Sequence, residues 1–405
     1  MEKTFEVGIW SSAKPTLNDY KILKDCGMTH AFIDENYSKR GTKEYTELLK
    51  YCEQVGLKAY LFNYNSTQAF LNDKTDYSVF PAFDGIIIWD EPSAKCFDEI
   101  ASVIPEFEKR FPNKTFIVNL LPNYGVLYDE KSDKKEYLGE SAYERYISQF
   151  CEKILSKIHG RRILSVDYYV LDIIPEENKV FLQDSFLKNL EIMAKYAKMY
   201  NAEPFLYVQS TSFGKWRREP LLADFYFQYY VAFAYGVRGI NHFTYTTPPT
   251  GGEFADKDIA LIDRNNIPTD KYYFVQKVNA DFKKISEILF AYDYVGTFVK
   301  TGENIPEQHE YADINSLSYS LRNLQKIKNV ASQESVVIGE FSKGGKFCYL
   351  IVNYSDPYRK LSNNVRIPFI TKTAFSVLKN NVLFDYVGDE FTAELKEGEG
   401  VLLIV

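Results

Sequence analysis

Residues 42–65 read TKEYTELLKYCEQVGLKAYLFNYN: an amphipathic helical pattern, a glycine and an apolar strand run follow one another without a break. Gly56 suits the left-handed residue that closes a helix, and the run KAYLFNYN begins almost at once behind it. Upstream, TLNDYKILKDCG is a second helical pattern closed by glycine. Working outward, short apolar runs recur between such segments: FEVGIW, HAFIDEN, KAYLFNYN, FDGIIIWDEP, TFIVNLLPN, RILSVDYYVLD, PFLYVQS and GINHFTYTTP. Strands alternating with helices predict a parallel sheet with right-handed crossovers. Eight such units predict an α/β fold, a (β/α)8 TIM barrel, over residues 1–295. The competing arrangement, an open doubly wound sheet, would carry a glycine-rich phosphate loop after its first strand, and none is present. From residue 296 to 405 the texture changes to turn-punctuated strands, SVVIGEF, a Gly344-Gly345 hairpin signal, KFCYLIVNY, NVRIPF and EGEGVLLIV, which predict a small C-terminal all-β sandwich domain with a packing role or, in the alternative, a carbohydrate-binding one.

The totals narrow the partner. A formal charge of −7 with no long Lys/Arg block argues against nucleic acid and anionic membrane as partners and favours a neutral ligand. The chain is 16% aromatic, with 32 Tyr and 30 Phe, side chains that combine a flat apolar face with, in Tyr, a hydroxyl. Five dispersed cysteines form no CxxC pair and read as reduced core thiols, and the scattered histidines make no metal set, so neither a metal nor an organic cofactor is expected. The opening MEKTFEVGIW enters a strand pattern directly, which predicts a cytoplasmic protein; a secreted protein with its signal peptide removed would read the same.

In a barrel, residues at the C-terminal strand ends face the site. Strand two ends in Asp34-Glu35-Asn36, strand three in Asn63 and Asn65, strand four in Trp89-Asp90-Glu91, and strand five in Asn119 with Asn123-Tyr124 beyond. Strand six contributes Asp167, Tyr168, Tyr169 and Asp172, strand seven Gln209, and strand eight His242 and Tyr245. Carboxylates, amides and rings converging on one mouth suit a polyhydroxylated ligand, a carbohydrate. Glu91, beside Trp89 and fixed by Pro92, is the sharpest candidate for a general acid that protonates a glycosidic oxygen, although an Asp-Glu pair before proline also suits a helix start. Trp216 and the Arg217-Arg218 pair in KWRREP offer a stacking ring and anion-binding groups, or a solvated loop.

The stretches PFLYVQS, FYFQYYVAFAYGVRGI, NHFTYTTP and ALIDRNNIPTDKYYFVQKVN resemble the closing part of family 42 β-galactosidases and their clan A relatives. The resemblance implies Glu91 as acid/base, but Asp90 stands where that clan has Asn, and Gln209 stands where it has a nucleophilic glutamate. A glutamine cannot form the glycosyl ester of a retaining double displacement. The Asp90-Glu91 pair also resembles that of family 20 and 123 hexosaminidases, which implies that the substrate's 2-acetamido oxygen is the nucleophile, oriented by Asp90. Three readings stay open: substrate assistance with Glu91 as acid/base; a two-carboxylate glycosidase with Asp167 as partner and Asp34 or Glu35 behind it; and a glycan-binding barrel without turnover. Gln209, Tyr168, Tyr245, Asn119, Trp89, Asn63, His242 and Trp216 are the expected binding residues.

Overall fold

A computed structural model describes residues 5–63, 65–128, 142–379 and 381–405. Eight parallel strands form one sheet: β1 Glu6–Ile9, β2 His30–Ile33, β3 Lys58–Phe62, β4 Phe83–Asp90, β5 Thr115–Leu120, β6 Ile163–Asp167, β7 Glu203–Gln209 and β8 Gly239–Phe243. Their order is β1-β8-β7-β6-β5-β4-β3-β2, so the expected barrel is present. The last seam, between β1 and β2, is bridged largely by hydroxyls. Thr29 donates its main-chain N–H to the Val7 carbonyl (2.8 Å) while its Oγ1 accepts from Val7 N (2.8 Å), and Ser12 Oγ donates to the Phe32 carbonyl (3.1 Å).

The local signals behave as their chemistry requires. Helix Lys43–Val55 starts where the Thr42 side chain accepts from Tyr45 N, and it ends at Gly56 with φ 72°, where Leu57 N reaches back to the Cys52 carbonyl (2.8 Å). The lower end of the barrel is closed by a polar plug. Tyr60 donates to Glu6 (2.9 Å) and stacks on His30 at 4.8 Å, and Arg161 bridges Glu6 and Glu203. Open space is therefore left at the upper end.

The C-terminal region is antiparallel: β9 Asp293–Lys300, β10 Ala331–Ser332, β11 Val336–Lys343, β12 Lys346–Asn353, β13 Asn363–Lys379, β14 Val382–Leu395 and β15 Gly400–Ile404. The predicted Gly344-Gly345 turn joins β11 to β12, both glycines at positive φ (57° and 83°) as a tight hairpin needs. All seven strands belong to one hydrogen-bonded sheet. The register breaks between Pro368 and Thr373 of β13, and Val365, Ile367, Phe375 and Val377 on either side of the break share a core with Val336, Ile338 and Tyr349. The other face of β11 and β12 packs on helix Leu222–Ala234 of the barrel, and Val337, Leu350 and Val352 join the barrel core. Contact there is close: a Cβ on Gly339 would stand 2.4 Å from the Ala234 carbonyl oxygen. Asp313 strengthens the junction, accepting from Leu187 N (2.9 Å) at the start of helix Phe186–Met199 and from Tyr354 Oη (2.7 Å).

Among the described residues, no helix is long and apolar enough to cross a membrane.

Candidate active site

A cleft of about 430 Å³ lies at the upper mouth of the barrel. Its walls include Trp10 after β1, Asp90 and Glu91 of the β4 end, Asn119 of β5, Tyr124, Asp167 and Tyr169 at β6, Tyr207 of β7, and Phe243 of β8. Phe213, Trp216 and Arg217 from the loop after β7 and Glu253 from the loop after β8 complete the rim.

The carboxyl side is built around amides. Asn65 clamps the end of β4, its Oδ1 accepting from Asp90 N (2.7 Å) and its Nδ2 donating to the Asp90 carbonyl (3.2 Å). Directly after the clamp, Glu91 takes φ 47°, a left-handed conformation uncommon for a residue with a side chain, and its N–H donates to the Asn119 carbonyl (2.8 Å). Strain of this kind is held only where the surroundings over-determine it, and it re-aims the Glu91 side chain into the cleft. Asn119 Nδ2 donates to Asp90 Oδ1 (3.0 Å) and to Asp167 Oδ1 (3.4 Å), while Ser165 Oγ, donating to Asn119 Oδ1 (2.8 Å), fixes which way the amide faces.

Asp90, Glu91 and Asp167 thus form one cluster. Burial, followed by the charge of Glu91, pushes the Asp90 carboxyl up to about 7. Asp167, 2% exposed, is raised well above the carboxylate range by burial, then by the charges of Glu91 and Asp90 and by a hydrogen bond with Glu91. Buried carboxyls that raise one another favour keeping a proton at pH values where a solvated carboxyl has lost it.

The aromatic side faces this cluster. Tyr169, Phe213 and Phe243 pack edge-on or tilted at 5.0–5.2 Å from one another, and Trp10 meets Tyr207 edge-on at 5.7 Å. The hydroxyls of Tyr169 and Tyr207 are held neutral by burial and by the nearby carboxyl charges, so they are donors. Arg217 lies over the Tyr124 ring at 5.0 Å and is ion-paired with Asp172, whose carboxyl burial pushes up to about 6.

Of the residues expected from sequence, Asp90, Glu91, Asp167, Asn119 and Trp216 meet in the cleft, and eight do not. Gln209 is fully buried with its amide fully engaged by the main chain: Nε2 donates to the carbonyls of Arg218 (2.8 Å) and Thr211 (3.2 Å), and Oε1 accepts from Leu171 N (3.2 Å). It holds the loop after β7 rather than a ligand. His242 faces the outer helices, between Ser210 Oγ and Tyr229 Oη (2.7 Å each), and burial lowers it to about 3, so it stays neutral. Tyr168 points away from Tyr169, bonding Ser185 Oγ (3.0 Å) and packing on Phe186. Tyr245 is 2% exposed in the core, and Trp89 is half-buried against that core. Asn63 is fully buried, accepting from Arg40 and donating to the Ser66 carbonyl. Asp34 is likewise tied to Ser12 and Asn36 at the β1–β2 seam, and Glu35 accepts from Arg40 N (2.8 Å).

Sequence reasoning missed Trp10, Tyr207, Phe213, Phe243 and Glu253. The first two had a signal: Trp10 closes the run FEVGIW, and Tyr207 stands two residues before Gln209 on the same strand face. Among the described residues, no group of three or more His, Cys, Asp or Glu is arranged to hold a metal ion.

No protein-family model matches the chain, and no curated protein matches it. Among solved structures it is similar, over 100% of its length and 81% of the other chain, to a family 39 glycoside hydrolase from the gut symbiont Bacteroides cellulosilyticus WH2, with 10% identity and a TM-score of 0.53. The likeness is one of fold. More distant are the endo-β-1,4-mannanase from Thermotoga petrophila (10% identity, 97% and 98% of the two chains, TM-score 0.44) and a β-galactosidase from the psychrophilic Marinomonas ef1 (10%, 72% and 62%, 0.42). The family 42 and hexosaminidase resemblances rest on the quoted motifs alone.

Proposed function

We propose that this protein is a glycoside hydrolase in which Glu91 is general acid and then general base. One observation carries the reading: Asp90, Glu91 and Asp167 line one cleft together with aromatic rings, and burial raises Asp90 and Asp167 toward holding a proton. A retained proton is what a leaving glycosidic oxygen requires. The rings offer faces for sugar C–H groups, and Tyr hydroxyls offer partners for sugar hydroxyls, while Asn119 orients the carboxyls.

The nucleophile is then the substrate's own. Among the described residues no acid reaches the cleft from β7, because Gln209 is engaged beneath the loop. Asp167, raised by burial and then by the charge of Glu91, is assigned as the proton partner of Glu91 rather than as a base for water. With a 2-acetamido sugar, the acetamido oxygen bonds to C1 as Glu91 gives its proton to the glycosidic oxygen and the C1–O bond breaks. Water then attacks C1 of the cyclic intermediate, its proton passes to Glu91, and the ring opens. Asp90, held by Asn65 and Asn119, accepts the acetamido N–H. Asp167 keeps the proton on the cluster between turnovers. Asp167 also lines the cleft, which supports a second reading, in which Asp167 is itself the nucleophile of a two-carboxylate mechanism.

Time-resolved proton NMR against N-acetylhexosaminides, galactosides and glucosides tests both. The first reading expects turnover of 2-acetamido sugars only, inhibition by thiazoline analogues, and a loss on the order of 10²- to 10⁴-fold in Glu91→Gln. Fast cleavage of a plain galactoside, with a glycosyl ester on Asp167, selects the second. Ligand broadening without cleavage, equal in Glu91→Gln, refutes hydrolysis and leaves a glycan-binding barrel.

A further inference from the structure

We infer that the C-terminal sheet carries a separate binding site for an anionic saccharide, one bearing sulfate or carboxylate groups. The segment RNLQKIKN, residues 322–329, holds three cations and no acid in a chain whose net charge is −7. It borders a cavity of about 140 Å³ against β9, where Lys300, Arg322 and Lys328 converge and, among the described residues, no carboxylate lines the wall. Lys300 is held in place by donating to the Val330 carbonyl. Arg322 and Lys328 are exposed, and among the described residues neither side chain has an ion pair or hydrogen bond. Three like charges around one cavity repel each other until an anion enters, and an Arg fork is suited to sulfate or carboxylate oxygens.

The lining also distinguishes a saccharide from a bare ion. Asn323 and Asn329 supply amides for hydroxyls, and the floor is apolar, with Phe298 half-buried and Ile327 buried. A few polar groups over an apolar floor is the composition of an organic ligand site. The proposed catalytic cleft sets four carboxyls, Asp90, Glu91, Asp167 and Glu253, against one cation, Arg217, so the sheet cavity is the more cationic of the two and the better match for an anionic chain. The inference does not depend on hydrolysis.

Isothermal titration of the full chain with a chondroitin sulfate tetrasaccharide tests it, with inorganic sulfate as the comparison probe. The tetrasaccharide is expected to bind, with Kd raised about tenfold or more by Arg322→Ala and by Lys328→Ala. Lys326→Ala removes the same charge from the neighbouring ring of Phe347, 5.5 Å away, and is expected to change Kd less than about twofold. Glu91→Gln is expected to leave binding unchanged. Absence of binding, an equal loss in Lys326→Ala, or loss in Glu91→Gln overturns the assignment. Inorganic sulfate binding as tightly as the tetrasaccharide overturns its saccharide part.

Discussion

Replacing Asp90 with asparagine isolates the charge of the proposed site from its shape. The Asp90 carboxyl is pushed from 3.8 up to about 7, first by burial and then by Glu91, against the opposing hydrogen bond from Asn119. A carboxyl raised in the folded state binds its proton more tightly there than in the unfolded chain. Its stabilising share is therefore complete below about pH 4 and is lost as pH rises through 7. At about 1.36 kcal/mol per pH unit, that rise amounts to about 4 kcal/mol for an isolated group. Because the proton is shared with Glu91 and Asp167, about 4 kcal/mol is an upper bound for Asp90 itself. The new side-chain amide would still accept from Asn119 Nδ2 through its oxygen, and the main-chain clamp to Asn65 is untouched. Urea denaturation followed by intrinsic fluorescence should then place Asp90→Asn within about 0.5 kcal/mol of the parent at pH 4, and about 1–4 kcal/mol more stable at pH 8.5. Equal differences at the two pH values, or a less stable variant at pH 8.5, would refute the shared-proton cluster. Activity should fall in the same variant, the usual cost of relieving strain at a reactive site.

Other expectations follow from the same contacts. Arg218 is buried between Asp224 (2.6 and 2.7 Å) and Asp356 (3.0 Å), so Arg218→Met leaves two carboxylates without their partner and should lower stability by about 3–5 kcal/mol in denaturant titration. His242→Leu breaks the bonds to Ser210 and Tyr229 and should cost about 1–3 kcal/mol with KM unchanged. Since the folded value of His242 is lowered to about 3, its contribution is complete above about pH 6.5 and falls on acidification, and this slope should vanish in the variant. Trp216 is 56% exposed at the cleft rim, so Trp216→Ala should leave stability within about 0.5 kcal/mol but raise the KM of an active saccharide about two- to tenfold.

The order of local elements was written in the chain: helical patterns closed by glycine, apolar runs between them, and an Asp-Glu pair where β4 stops. Those signals act over a few residues, through capping hydrogen bonds and side-chain periodicity, so they survive without knowledge of the rest. The hairpin at Gly344-Gly345 was legible for the same reason, since only positive φ values close so short a turn. The site was legible in its carboxyls and not in its rings. Alternation says that Tyr168 and Tyr169 face opposite ways but not which one enters the cleft. That parity depends on how β6 registers against β5 and β7 once the sheet closes. Gln209 sits at the expected strand end, yet the loop after β7 draws its amide out of the site, and His242 stands on the outward face of β8, where Ser210 and Tyr229 bond it. Only the folded chain could decide this: a buried amide or imidazole must be bonded, and groups distant in the chain satisfied these two before any ligand could.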